Sequence, residues 1–163
     1  MNGAGTWALD EADYHRISEH LSDLLRESNA RCAMLVDRTG QLLCKSGESM
    51  SFDATAFASL TAADFSANDQ LAKMIGEEDF ASLFHQGEKE SMYLADVARR
   101  VILVVLFDER TTVGLVRLRV RQTVRDLKQL FEDMFDRAPR VEGGRSAGLL
   151  EGAEDEIDRL FSD

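Results

Sequence analysis

Residues 101–107 read VILVVLF, an unbroken apolar run. A strand points alternate side chains to opposite faces, so this one has no wet face. It is too short for a membrane span, which takes about 20 apolar residues in a helix. It therefore predicts a central strand with helices above and below it. The rest of the chain must supply the sheet and both helical layers.

The flanking patterns do so. A first helix is expected from about Asp10 to Ser28, with Tyr14, Ile17, Leu21, Leu24 and Leu25 on one stripe. Asp10 caps it, Leu9 and Tyr14 are placed to staple it, and Asn29 stops it. CAMLV and QLLCK then read as two short strands around the turn DRTG, where Gly40 is free to take positive φ. A second helix starts at Phe52-Asp53 and runs to about Gly76, with Phe52 stapling onto Phe57. Its face Phe57, Leu60, Ala67, Leu71, Met74 is expected on the sheet. Its opposite face, Ser59, Ala62, Ser66, Gln70 and Lys73, is mostly small, which favours close contact with another helix or a partner over a solvated face. Strands follow at about 80–86, 90–98 and 100–108, turned at Gly87 and Arg99-Arg100. Short connections make them antiparallel neighbours. The last helix is expected from about Thr112 to Arg137 on Val113, Val116, Val120, Val124, Leu127, Phe131 and Met134. A strand for VGLVRLRV is the alternative, since valine is a mediocre helix former. The expected fold is α/β of the α+β type, a five-stranded antiparallel sheet with helices on both faces.

Net charge is −11, which argues against nucleic acid and against an anionic membrane surface as partners. No basic segment precedes an apolar run at the N-terminus, so a cytoplasmic place is expected. Cys32 and Cys44 lack metal or redox spacing and read as small buried apolar residues. No phosphate loop, dinucleotide fingerprint or zinc-helix motif is present, and His85 has no nucleophile beside it in sequence. Nothing points to a catalytic residue, a metal or a cofactor. A binding module is expected. Arg117, Arg121, Arg125 and Lys128, with Arg119 among them, make a locally basic stretch in an acidic chain. A solvated face is one reading and a docking patch for an acidic partner the other.

The chain divides into an N-terminal tail 1–9, a domain 10–137, a linker 138–153 that contains the sole proline, and a segment 154–163. In EDEIDRLFSD, Ile157, Leu160 and Phe161 share one helical face with acidic residues opposite. A helix this short is marginal in water unless it lies against something. The readings are a tethered partner motif, a disordered tail, or a segment folded back on the basic last helix.

LVDRTGQLL, SLTAADFSANDQLAKMIGEEDF, LFHQGEKESMYLADVARRVILVVLFDERTTVGLVRLRVR and the closing DEIDRLF resemble the roadblock family, and within it the MglB-type regulators of the Ras-like GTPase MglA. The resemblance covers about Tyr14 to Met134 plus the last ten residues. LAKMIGEEDF, FHQGEK and FDERTT, in this order and spacing, are its specific part. It implies a homodimer in which second helices pack across the two-fold axis and third strands pair. It implies stimulation of GTP hydrolysis by holding the switch regions, without an arginine finger, in bacterial polarity or motility at a cell pole, with other polarity proteins as further partners. Two chains per GTPase follow from a site on the dimer axis. On that basis Ser59, Ala62, Ser66, Asp69, Gln70 and Lys73 are expected to meet the GTPase, and Ile157, Leu160 and Phe161 to touch it a second time. The family pattern has a glycine pair where this chain has Asp69-Gln70, and larger polar groups there could change the partner. A non-activating dimeric scaffold is the alternative function, and a small-ligand sensor on the same type of sheet is a third.

Overall fold

A computed structural model of the chain describes residues 9–137. Residues 9–132 belong to one compact unit. The tail 1–8, the linker 138–153 and the segment with Ile157, Leu160 and Phe161 lie outside the described residues.

The elements are α1 (Glu11–Ser28), β1 (Cys32–Asp37), β2 (Leu42–Gly47), α2 (Ala54–Met74), β3 (Ser82–Gln86), β4 (Glu90–Val97), β5 (Val101–Asp108) and α3 (Val113–Arg137). All pairings are antiparallel, in the order β2-β1-β5-β4-β3. The apolar run lies on β5, the middle strand, and every residue from Val101 to Phe107 is buried. β2 and β3 form the two edges.

Local chemistry sets the boundaries. The Asp10 carboxylate accepts from the Asp13 N–H at 2.7 Å. Asp53 accepts from the Thr55 and Ala56 N–H groups at 2.9 and 3.4 Å. Each carboxylate satisfies donors that the first helical turn leaves open. Asn29 takes a left-handed conformation and donates its N–H to the Leu25 carbonyl, which closes α1. In the first hairpin, Asp37 Oδ1 accepts from the Thr39 and Gln41 N–H groups, both at 2.9 Å. Gly40 has φ +94°, and a Cβ there would lie 2.9 Å from the Ser59 Cα, so the turn both needs glycine and sits against α2. The stretch VGLVRLRV is helical. Thr112 Oγ1 accepts the Leu115 N–H at the start of α3, and the apolar stripe then runs on without a break.

The sheet is covered on both faces. On one, Met34, Val36, Ile102 and Val104 pack with Ala58 and Phe65 of α2. On the other, the alternate strand residues Ala33, Leu35, Leu103 and Val105 are fully buried, as are Ile17 and Leu21 of α1 and Val116, Leu127 and Phe131 of α3. The two helices of that layer meet through an Arg119–Glu27 ion pair at 3.5 Å.

α2 corrects one expectation. Its sheet face is Ala58, Thr61, Ala62, Phe65, Asn68 and Ala72, all buried. Leu60, Leu71 and Met74, expected on the sheet, point outward with exposures of 71%, 57% and 82%. Small alanines let the helix backbone approach the pleated surface closely, and Phe65 fills the space between them. The larger aliphatic side chains are left on the far side.

Candidate functional site

The outer surface of α2 is unusual because it is apolar as well as exposed. At 100° per residue, Leu60, Ala67, Leu71 and Met74 fall within one arc opposite Phe65. Ile75, just past the helix end, extends the arc and is 71% exposed. A helix that is apolar all round is a buried helix. Here one side has a cover, and the other has none among the described residues. Contiguous exposed apolar surface is uncommon on a chain that stays fully hydrated.

The expected GTPase-facing residues occupy the flank between these two arcs. Ser59, Ser66, Gln70 and Lys73 are exposed. Ala62 is 8% exposed and turned toward the sheet, so its side chain is not available to a partner without movement. Asp69 is also held from below. The Arg38 guanidinium, on the first hairpin, donates to Asp69 at 2.8 Å and to Asp96 of β4, and lies 4.9 Å from the centre of the Phe65 ring. Asp69 therefore presents no free charge to the surface. The clamp ties the middle of α2 to the hairpin and to β4. The neighbouring Asn68 Nδ2 and the second Asp69 oxygen are buried without a partner among the described residues.

A second polar tie joins α2 to the edge strand. His85 Nε2 lies 2.6 Å from Asp64 Oδ2. Among the described residues β3 is paired only with β4, and residues 85 to 90 are exposed. Its free edge carries unpaired backbone groups, which invite another strand.

Beyond His85 a cleft of about 690 Å³ opens between the loop before α2, the β3–β4 turn and the end of β5. Met50, Phe52, Phe57, Met92 and Leu106 give it apolar walls, and Phe52 stacks on Phe57 at 4.6 Å. Its arginine is already engaged. Arg31 binds Glu48 at 2.6 Å, Glu90, and more distantly Asp108 at 3.8 Å. Arg110 holds Asp108 at 3.0 Å and reaches Glu48 at 3.3 Å. The Arg31 hydrogen bond keeps the Glu48 carboxyl below its usual range, and the Arg110 hydrogen bond does the same for Asp108. A ligand pocket aims convergent unpaired polar groups at its guest. This network satisfies itself, which favours a structural tie over a sensor site.

No group of three or more His, Cys, Asp or Glu among the described residues could hold a metal, and no described helix is long and apolar enough to cross a membrane. Cys32 and Cys44 are free and buried, and burial raises both thiols above their ordinary range. On α3, Arg117, Arg121, Arg125 and Lys128 are all exposed and share one flank.

The geometry describes a sheet-and-helix module that offers a helix face and a strand edge, with no reactive constellation among its described residues. Residues 16–107 match the Roadblock/LC7 domain, and the chain belongs to that family. Among solved structures it is similar to MglB of Myxococcus xanthus, at 43% identity and a TM-score of 0.70 over 72% of this chain and 96% of that one. It is also similar to the gliding protein MglB of Thermus thermophilus, at 32% identity and a TM-score of 0.74 over 78% and 97%. A structure described as MglB with a tetrameric arrangement matches at 32% identity and 0.74, over 78% and 96%. Curated protein sequences gave no match.

Proposed function

We propose that this chain is a homodimeric regulator of an MglA-type small GTPase in bacterial gliding motility and polarity. The observation that carries the reading is the apolar outer arc of α2, beside the open edge of β3. Likeness to MglB over nearly the whole of that protein supports it.

The arc serves self-association first. Full burial of Leu60, Leu71, Met74 or Ile75 is worth about 1.5–3 kcal/mol each. A two-fold interface counts every residue twice, which is enough to offset an association cost of about 4–15 kcal/mol. Pairing of the free β3 edges would run in register with it. The polar flank of Ser59, Ser66, Gln70 and Lys73 then borders the two-fold axis and meets the GTPase, whose own switch groups it orders. Phosphoryl transfer depends mostly on positioning and charge stabilisation, so ordering a mobile switch raises the rate without a donated side chain. A single GTPase on the axis excludes its symmetry copy, giving two chains per GTPase. Ile157, Leu160 and Phe161 provide a tethered second contact, for which local concentration makes modest burial sufficient.

The test is single-turnover GTP hydrolysis by an MglA-type GTPase with and without this chain, with light scattering on the mixture. Faster hydrolysis and a two-to-one complex are expected. Tight binding at an unchanged rate would leave a scaffold, and a one-to-one complex would reject the shared site. Truncation after Gly148 is expected to weaken GTPase binding and leave the dimer intact.

A further inference from the structure

The basic flank of α3 plays no part in GTPase recognition as proposed, and its arginines are placed differently from seven others in the chain. Arg16, Arg26, Arg31, Arg38, Arg99, Arg110 and Arg119 each lie within ion-pair distance of a carboxylate. Carboxylates are plentiful, with 30 acidic residues against 19 lysines and arginines. Yet Arg117, Arg121, Arg125 and Lys128 make no ion pair among the described residues. Arg125 donates only to the neutral Gln122 amide, at 2.7 Å. Arg117 lies over the Tyr93 ring, 6.0 Å from its centre. Like charges four residues apart on a helix cost about 0.2–0.5 kcal/mol per pair, and both Arg117–Arg121 and Arg121–Arg125 have that spacing. The helix keeps a repulsive row in a chain well supplied with acids.

The same flank has an apolar element. Leu118 borders it and is 59% exposed. Arg117 faces β4, whose Tyr93 neighbours Phe84 of the edge strand at 6.5 Å between ring centres. A strip about 16 Å long thus combines four uncompensated cations with an exposed leucine, at about 1.5 Å per residue from 117 to 128. It lies on the layer of α1 and α3, on the face of the sheet away from α2.

We propose that this flank docks an acidic amphipathic segment of another protein, about three helical turns long, with carboxylates on the cation row and an apolar side chain against Leu118. The overall charge of −11 decides against long polyanions. A duplex or an anionic bilayer faces the whole acidic molecule, while a short segment meets the flank alone, because screening limits interactions to about 8 Å at physiological salt. The site lies on the layer opposite α2 and shares no residue with the α2 surface.

The probe is a fluorescein-labelled 14-residue peptide with leucines at helical spacing and glutamates elsewhere, titrated with the full-length chain by anisotropy. Saturable binding is expected. The Arg121→Gln, Arg125→Gln, Lys128→Gln triple variant should weaken it at least tenfold. Leu118→Ser should weaken it about threefold, and Arg16→Gln with Arg26→Gln should leave it unchanged. Circular dichroism confirms the fold of each variant, and the Leu118→Ser and single Arg121→Gln variants decide the matter should the triple variant unfold. Absence of binding, or binding indifferent to the triple variant, overturns the proposal. So does equal affinity for a 20-base-pair DNA or for phosphatidylserine vesicles, which would mark the flank as a general anion surface.

Discussion

The two helical layers of this sheet solve different problems. α1 and α3 together cover one face, and each has a buried stripe and a mainly polar exterior, with Tyr14 and Leu118 as exposed exceptions. α2 covers the other face alone and has apolar residues on both sides, with Phe65 fully buried and Leu60 opposite it largely exposed. An amphipathic helix needs one cover, and a helix with two apolar arcs needs two. The cover that α1 and α3 give the sheet is thus supplied within one chain, while the outer arc of α2 has no cover among the described residues.

Substitutions on the two sides of α2 are expected to act on different equilibria. Phe65→Ala removes a fully buried ring from the inner side and is expected to cost about 3–5 kcal/mol in chemical unfolding. Leu71→Asp, on the outer side, is expected to leave monomer stability within about 0.5 kcal/mol. It should instead weaken self-association at least tenfold in sedimentation, about 1.4 kcal/mol or more. If Leu71→Asp destabilised the chain as strongly as Phe65→Ala, the outer face would be part of the core and the comparison would fail.

A smaller effect is expected at the clamp. Arg38→Ala leaves Asp69 and Asp96 as partly buried carboxylates without their partner, and about 1–3 kcal/mol of unfolding free energy should go with it. The cost should fall on α2, seen as faster amide exchange around residues 65–72. Asp53→Ala removes the cap and is expected to cost about 1 kcal/mol.

The acid response is smaller again. Glu48 and Asp108 titrate below their ordinary values because Arg31 and Arg110 bind their ionised forms. A lowered folded-state value stabilises the fold above the unfolded pKa and loses that contribution as pH falls through the folded one. Arg110→Gln should therefore lower the melting temperature slightly at neutral pH. The gap to the unaltered chain should close below about pH 4. A gap that widened on acidification would contradict the assignment.

Much of this architecture was legible in the sequence because it is encoded locally. Asp10, Asn29 and Asp53 set helix ends within one turn of themselves, Gly40 marks a turn that excludes side chains, and VILVVLF forces a central strand. The orientation of α2 was not legible. Periodicity finds both of its apolar arcs, and weighting by side-chain size selects Leu60, Leu71 and Met74. The sheet selects the other arc because backbone approach over alanines packs more tightly. The exposed arc was thus visible in the sequence but given the wrong partner. The Arg38 clamp leaves no sequence signal, since its partners lie 31 and 58 residues away. The same holds for the His85–Asp64 tie and for the self-satisfied network at Arg31.

Sedimentation equilibrium of the full-length chain from 1 to 100 µM, beside its Leu71→Asp variant, reads out whether the outer face of α2 carries self-association. A dimer across that range that dissociates in the variant is the predicted result. A chain that stays monomeric at the highest concentration, or a dimer unaffected by the substitution, would contradict it.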